Sequence, residues 1–300
     1  MKSYRIVYVD AFTHTPYAGN PCAVLPDARG LSDAEMQAIA REANLSETSF
    51  VLPSDVADFK VRYFTPRHEL PFAGHPTIAT AFTLAQEGLV RLSQPVTRIH
   101  LEFKVGVLPV EIIAAPGGEP ERVIMTQRPP VFGATFSAAG VAPCFRLQPS
   151  DLRRDCPPQV VSTGVPFLLV PAASLEILGR VEMDRPALAA LCDRAGVQAA
   201  FMFCLGGFSP GADTHARLLD PRGTSEDPYT GSAAGCMGAY IVRHGLRPGP
   251  TLVAEQGHFV GRPGVGVLEV TGSPAGVESV RLGGAAAKVM EGVFYVGPLA

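Results

Sequence analysis

Apolar and polar positions alternate along this chain in short stretches. Residues 4–9, 50–53, 105–113 and 265–270 are rich in β-branched or apolar residues and bounded by Gly and Pro, which predicts short strands. Few segments carry a helical period. Residues 33–44, 76–86, 186–195 and 233–244 do, and turn or cap chemistry precedes each. The helices predicted after Gly74 and Gly231 are unusual because small and apolar residues occupy nearly every face: Ile78, Ala79, Ala81 and Phe82 in one, and Ala233, Ala234, Cys236, Met237 and Ala239 in the other. Such helices are expected to be buried all round.

The same elements occur twice. Arg62-Tyr63-Phe64-Thr65-Pro66-Arg67 resembles Arg217-Leu218-Leu219-Asp220-Pro221-Arg222. Glu69-Leu70-Pro71-Phe72-Ala73-Gly74-His75 resembles Glu226-Asp227-Pro228-Tyr229-Thr230-Gly231-Ser232. Upstream of each, Gly19 to Pro26 resembles Gly164 to Pro171, and a helix leads to Asn44-Leu45 in one half and to Gly196-Val197 in the other. These matches in one order predict a duplication. The expected architecture is α+β, with two duplicated lobes, each a β-barrel-like sheet around one central helix. The lobes are expected at residues 1–121 and 122–289, with the Pro-Gly stretch 115–120 near the break and a last strand at 290–300 crossing back to the first lobe.

Length and composition agree with two lobes. The chain has 300 residues, 47% of them hydrophobic and only 18% charged, more than one core usually holds. A net charge of −3 offers no basic field to attract nucleic acid or an anionic membrane, so a small-molecule substrate is expected. The six cysteines stand singly, without CxxC or a zinc-like Cys/His spacing, so neither a metal nor a disulfide framework is expected. No signal-peptide core or membrane-length apolar run occurs, which predicts a cytoplasmic protein.

Candidate chemistry follows from the repeat. Gly74-His75 and Gly231-Ser232 open the two buried helices, where N–H groups and the positive dipole end favour a carboxylate or oxyanion. Ordinary capping explains either one alone; their equivalence favours a shared ligand site between the lobes. Glu47 stands where the second half has Ala199, and Asp227 where the first has Leu70, so each carboxylate belongs to one lobe only. A carboxylate in an apolar setting has its pKa raised toward neutrality and suits proton transfer. This marks Glu47 as the acid/base, with His75, Asp227 and Ser232 binding or polarising the substrate. Nucleotide-binding GxGxxG and GxxxxGK[ST] and zinc-binding HExxH are missing from the sequence.

The residues carrying the repeat also resemble the PhzF-like, phenazine-biosynthesis family. They are Asp10-Ala11-Phe12, Gly19-Asn20-Pro21-Cys22, Asn44-Leu45-Ser46-Glu47-Thr48-Ser49-Phe50, Glu69 through His75-Pro76-Thr77, Glu226 through Ser232-Ala233, and Glu255-Gln256-Gly257 with Gly261-Arg262-Pro263. The resemblance implies a diaminopimelate-epimerase-like fold and a homodimer. It also implies isomerisation of trans-2,3-dihydro-3-hydroxyanthranilate or another small carboxylate without metal or organic cofactor, with Glu47 catalytic and His75, Asp227 and Ser232 binding substrate, to which the helix N-termini add Gly74 and Gly231. Gly264 and His258 depart from the usual pattern. Two alternatives are an amino-acid racemase or epimerase on the same fold, which would want two opposed bases, and a binding protein without turnover.

Overall fold

A computed structural model describes residues 1–297. In chain order the elements are β1 (Lys2–Ala11), β2 (Asn20–Leu25), α1 (Asp33–Ala43), β3 (Glu47–Leu52), β4 (Phe59–Phe64), β5 (Glu69–Leu70), α2 (Gly74–Gln86), β6 (Val96–Phe103), β7 (Gly106–Ala114) and β8 (Pro120–Thr126). There follow β9 (Val131–Thr135), α3 (Ala138–Val141), β10 (Gln159–Ser162), β11 (Pro166–Pro171), α4 (Leu175–Gly179), α5 (Arg185–Ala195), β12 (Ala200–Leu205), β13 (Thr214–Leu219), α6 (Gly231–Arg243), β14 (Thr251–Gln256), β15 (Gly264–Ser273), β16 (Gly276–Gly284) and β17 (Ala286–Val296). The chain divides into two compact units: Met1–Met125 with Gly283–Ala300, and Thr126–Leu282.

In the first unit β17 pairs antiparallel with β1, and β1 antiparallel with β2. From β2 the neighbours run to β3 (parallel), β4 (antiparallel), β6 (parallel), β7 (antiparallel) and β8 (antiparallel). The second unit repeats the alternation from β10: β11 antiparallel, β12 parallel, β13 antiparallel, β14 parallel and β15 antiparallel. Thus β1, β2, β3, β4, β6 and β7 correspond to β10, β11, β12, β13, β14 and β15. Even an ion pair is repeated, Arg62 with Glu69 at 2.7 Å and Arg217 with Glu226 at 2.9 Å.

The central helices account for the curvature of each sheet. Helix α2 packs on β1, β2, β3, β7 and β17, and its residues from His75 to Ala85 are all buried. Its threonines tolerate this because Thr77, Thr80 and Thr83 each donate to the carbonyl four residues back. Helix α6 is also 13 residues long and packs on β10, β11 and β15. Gly238 lets it approach β15: a Cβ there would sit 3.1 Å from Val270. Each unit is therefore a strongly curved sheet around one buried helix, the α+β architecture expected from the repeat. Outside the sheets, α1 covers Phe50 and Phe64 with Met36 and Ile39, and α5 places Leu188 and Leu191 over Leu168 and Met202.

The Pro-Gly stretch at 115–120 is the tight turn between β7 and β8, where Ala115 donates to the Glu119 carbonyl, and lies inside the first unit. Gly and Pro mark a turn without saying what it separates. Of the last strand expected at 290–300, residues 298–300 lie outside the described residues; β17 itself starts earlier, at Ala286.

Candidate active site

Glu47 is placed by a helix stop. Ser32 opens α1 with a capping box to Glu35, and Asn44 closes it in the left-handed region at φ 51°. The chain then reverses into β3, of which Glu47 is the first residue. Pairing with β2 sets Glu47 beside Cys22 and Thr48 beside Ala23. The second unit has the same register, with Ala200 beside Leu168, so Ala199 occupies the position of Glu47. Only 17% of the Glu47 side chain is accessible. Burial pushes its pKa up to about 7, against a weaker opposing pull from a Ser46 hydrogen bond.

His75 faces this carboxyl group, its Nε2 lying 3.2 Å from Glu47 Oε2. The ring's orientation comes from Asn20, whose Nδ2 lies 3.1 Å from His75 Nδ1, while Asn20 Oδ1 accepts from Ser46 Oγ. An amide nitrogen can only donate, so His75 Nδ1 accepts and the ring proton sits on Nε2, the nitrogen nearer Glu47, although the 3.2 Å approach lacks the angle of a hydrogen bond. Asn20 owes its position to Gly19. That residue has φ 59°, and a Cβ on it would lie 2.1 Å from the Ala11 carbonyl oxygen.

In the second unit Asp227, Gly231 and Ser232 gather at the start of α6. Thr230 could cap that helix, yet its hydroxyl donates to Asp227 Oδ2 at 2.6 Å. Gln256 braces the turn: its Oε1 accepts from Thr230 N–H at 2.9 Å and its Nε2 donates to the Asp227 carbonyl at 2.8 Å. Gln127 donates to the Gly231 carbonyl and accepts from the Thr163 hydroxyl. Neither α2 nor α6 has a side-chain cap or an acidic residue in its first turn among the described residues. Both N-termini can therefore receive an anion.

The structure brings Glu47 and His75 together in the first unit, and Asp227 beside Gly231 and Ser232 in the second. Sequence reasoning gave no role to Asn20, Thr230, Gln256 or Gln127. Asn20 and Gln256 lie within motifs already noted, but only the fold reveals their partners. The thiols are poor bases. Burial pushes Cys22 well above its ordinary value and Cys236 up to about 11.

A sequence pattern described as phenazine biosynthesis-like protein matches residues 9–292. This chain belongs to that family. Trans-2,3-dihydro-3-hydroxyanthranilate isomerase of Pseudomonas aeruginosa is 33% identical to it, over 98% of this chain and 100% of that one. The PhzF-family phenazine biosynthesis protein of Bacillus anthracis is 32% identical in sequence and superposes with a TM-score of 0.88, covering 99% of this chain and 100% of that one. A probable proline racemase from Agrobacterium radiobacter shares the fold alone, at 14% identity and a TM-score of 0.64 over 98% and 93% of the two chains. This member of the phenazine biosynthesis-like family is thus an isomerase with a diaminopimelate-epimerase-like fold. Among its described residues no helix is long and apolar enough to cross a membrane.

Proposed function

We propose that this isomerase moves a proton within a small carboxylate substrate, as in the isomerisation of trans-2,3-dihydro-3-hydroxyanthranilate, with Glu47 as the acid/base and no cofactor in that step. The observation carrying this reading is the Glu47 carboxyl group, mostly buried, raised to about 7 and lying 3.2 Å from His75 Nε2. A carboxyl group poised near neutrality is half ionised there and can both take and return a proton. In one turn, Glu47 removes a proton from a substrate carbon, the double-bond electrons shift, and the same carboxylic acid protonates a second carbon.

His75, Asp227 and Ser232 are assigned to substrate binding, with the amides of Gly74 and Gly231 at the two helix N-termini suited to a carboxylate. A racemase would need a second base opposite the first. The repeat places Ala199 at the counterpart of Glu47, and the thiols of Cys22 and Cys236 are held in the neutral form. Both facts favour one base acting alone. The testing experiment is proton NMR in deuterium oxide with trans-2,3-dihydro-3-hydroxyanthranilate, comparing the native enzyme with Glu47→Gln. Isomerisation lost in the variant is expected. Inert native enzyme would remove this substrate, and an active Glu47→Gln variant would remove Glu47 as the base.

A further inference from the structure

We propose that His215, Glu255 and His258 form a binding site for a divalent transition-metal ion of the zinc class. His215 lies on β13 directly beside Glu255 on β14, and a short turn, His258–Val260, follows β14 and carries His258 back over them. One ligand atom from each of the three residues lies within 4.8 Å of the other two. His215 Nδ1 is 3.7 Å from Glu255 Oε2, too long for a hydrogen bond but near the spacing of two ligands on one ion. Two imidazoles and one carboxylate are a donor set suited to zinc and its neighbours, with room left for water.

Three independent features point to an ion. Both ring nitrogens of His215 and Nδ1 of His258 are buried and have no hydrogen-bond partner among the described residues. His215 is fully buried, so these atoms cannot be satisfied by bulk water. Next, Glu255 is held in a built cradle: its oxygens accept from the backbone N–H groups of Phe208 at 2.8 Å and Ser209 at 3.2 Å. Gly207 permits that approach, since a Cβ there would lie 2.4 Å from Glu255 Oε2. Phe208 stacks on His258 and Phe259 meets the edge of His215, forming an apolar cover with both phenyl groups reaching solvent.

The third feature is the repeat. In the first unit the positions of His215 and Glu255 are held by Lys60 and Glu102, paired in the same register and joined at 2.9 Å. There an ammonium group neutralises the carboxylate. In the second unit that cation is replaced by a neutral ring, and the nearby Arg217 is committed to Glu226. A divalent ion would supply the missing positive charge. It would also brace β14 on the face opposite Gln256, the residue that holds the Asp227–Thr230 turn.

The test uses the full-length purified protein, stripped with chelator and titrated with Co2+ by visible absorption and with Zn2+ by competition against a chromophoric chelator. One ion per chain is expected, with the intense d–d bands of a four-coordinate cobalt site. His258→Asn, at a half-buried position, should weaken binding by more than about tenfold, as should Glu255→Gln, while the surface variant His100→Asn leaves it unchanged. Circular dichroism separates lost binding from lost folding. A native protein without cobalt bands, or binding that survives in a folded His258→Asn variant, would overturn the site.

Discussion

Cys22 and Glu47 sit side by side across the parallel pairing of β2 and β3. Burial, and then the charge of Glu47, drives the thiol away from ionisation, so the thiol and carboxyl group cannot exchange roles. Cys22→Ala should therefore keep kcat within about twofold while costing roughly 1 kcal/mol of stability for the small cavity. Glu47→Gln should lower kcat by about 10²–10⁴. Steady-state kinetics of the two variants decides the matter, and the opposite ranking would make the thiol the base.

Glu47 should also leave a mark on stability. Its folded pKa, about 7, exceeds the ordinary value of 4.5, so the folded state holds the proton more tightly. The favourable contribution is complete below about pH 4.5 and is lost as pH rises through about 7. The difference corresponds to about 3 kcal/mol. Urea denaturation across this window should show native stability falling relative to Glu47→Gln, with the variant more stable at pH 8. Parallel curves for the two proteins would deny the raised pKa.

Asn20 fixes which nitrogen of His75 carries the proton. In Asn20→Leu, Nδ1 loses its donor and the other tautomer becomes accessible. Nitrogen-15 NMR should find Nε2 protonated in the native ring and a tautomer mixture in the variant. Activity should fall by roughly tenfold or more, since a comparable tautomer error in a hydrolase triad costs about 10⁴.

Gln256 offers a test of the second unit. Gln256→Leu removes the partners of Thr230 N–H and the Asp227 carbonyl, at a cost of about 1–3 kcal/mol if either stays unsatisfied. Since Asp227 is assigned to substrate binding and Glu47 to proton transfer in the proposed function, KM should rise more than kcat falls. A variant with native KM would place the Asp227 turn outside substrate binding.

Much of this was legible in the sequence because the fold is written twice. Arg62/Glu69 and Arg217/Glu226 recur in the same order, the second pair spread two residues further by an insertion, and the two buried helices betray themselves by lacking a polar face. Glu47 stood out by the absence of a counterpart, Ala199 filling its place. What stayed hidden depends on contacts between distant strands. Asn20 meets His75 across 55 residues, and Glu255 meets His215 across 40 through the register of β13 and β14. His258 looked like a departure near a turn because only that register shows what it faces.

The pairing of β17 with β1 sets the order in which the molecule can be completed during synthesis. Lys2 waits for Val296, so β17 must emerge from the ribosome before the first sheet gains its closing neighbour. Residues 126–282 carry their own partners and can close earlier. Until then β1 presents an open edge, exposed to the pairing errors that such edges invite. Glu47, emerging early, is therefore expected to settle late.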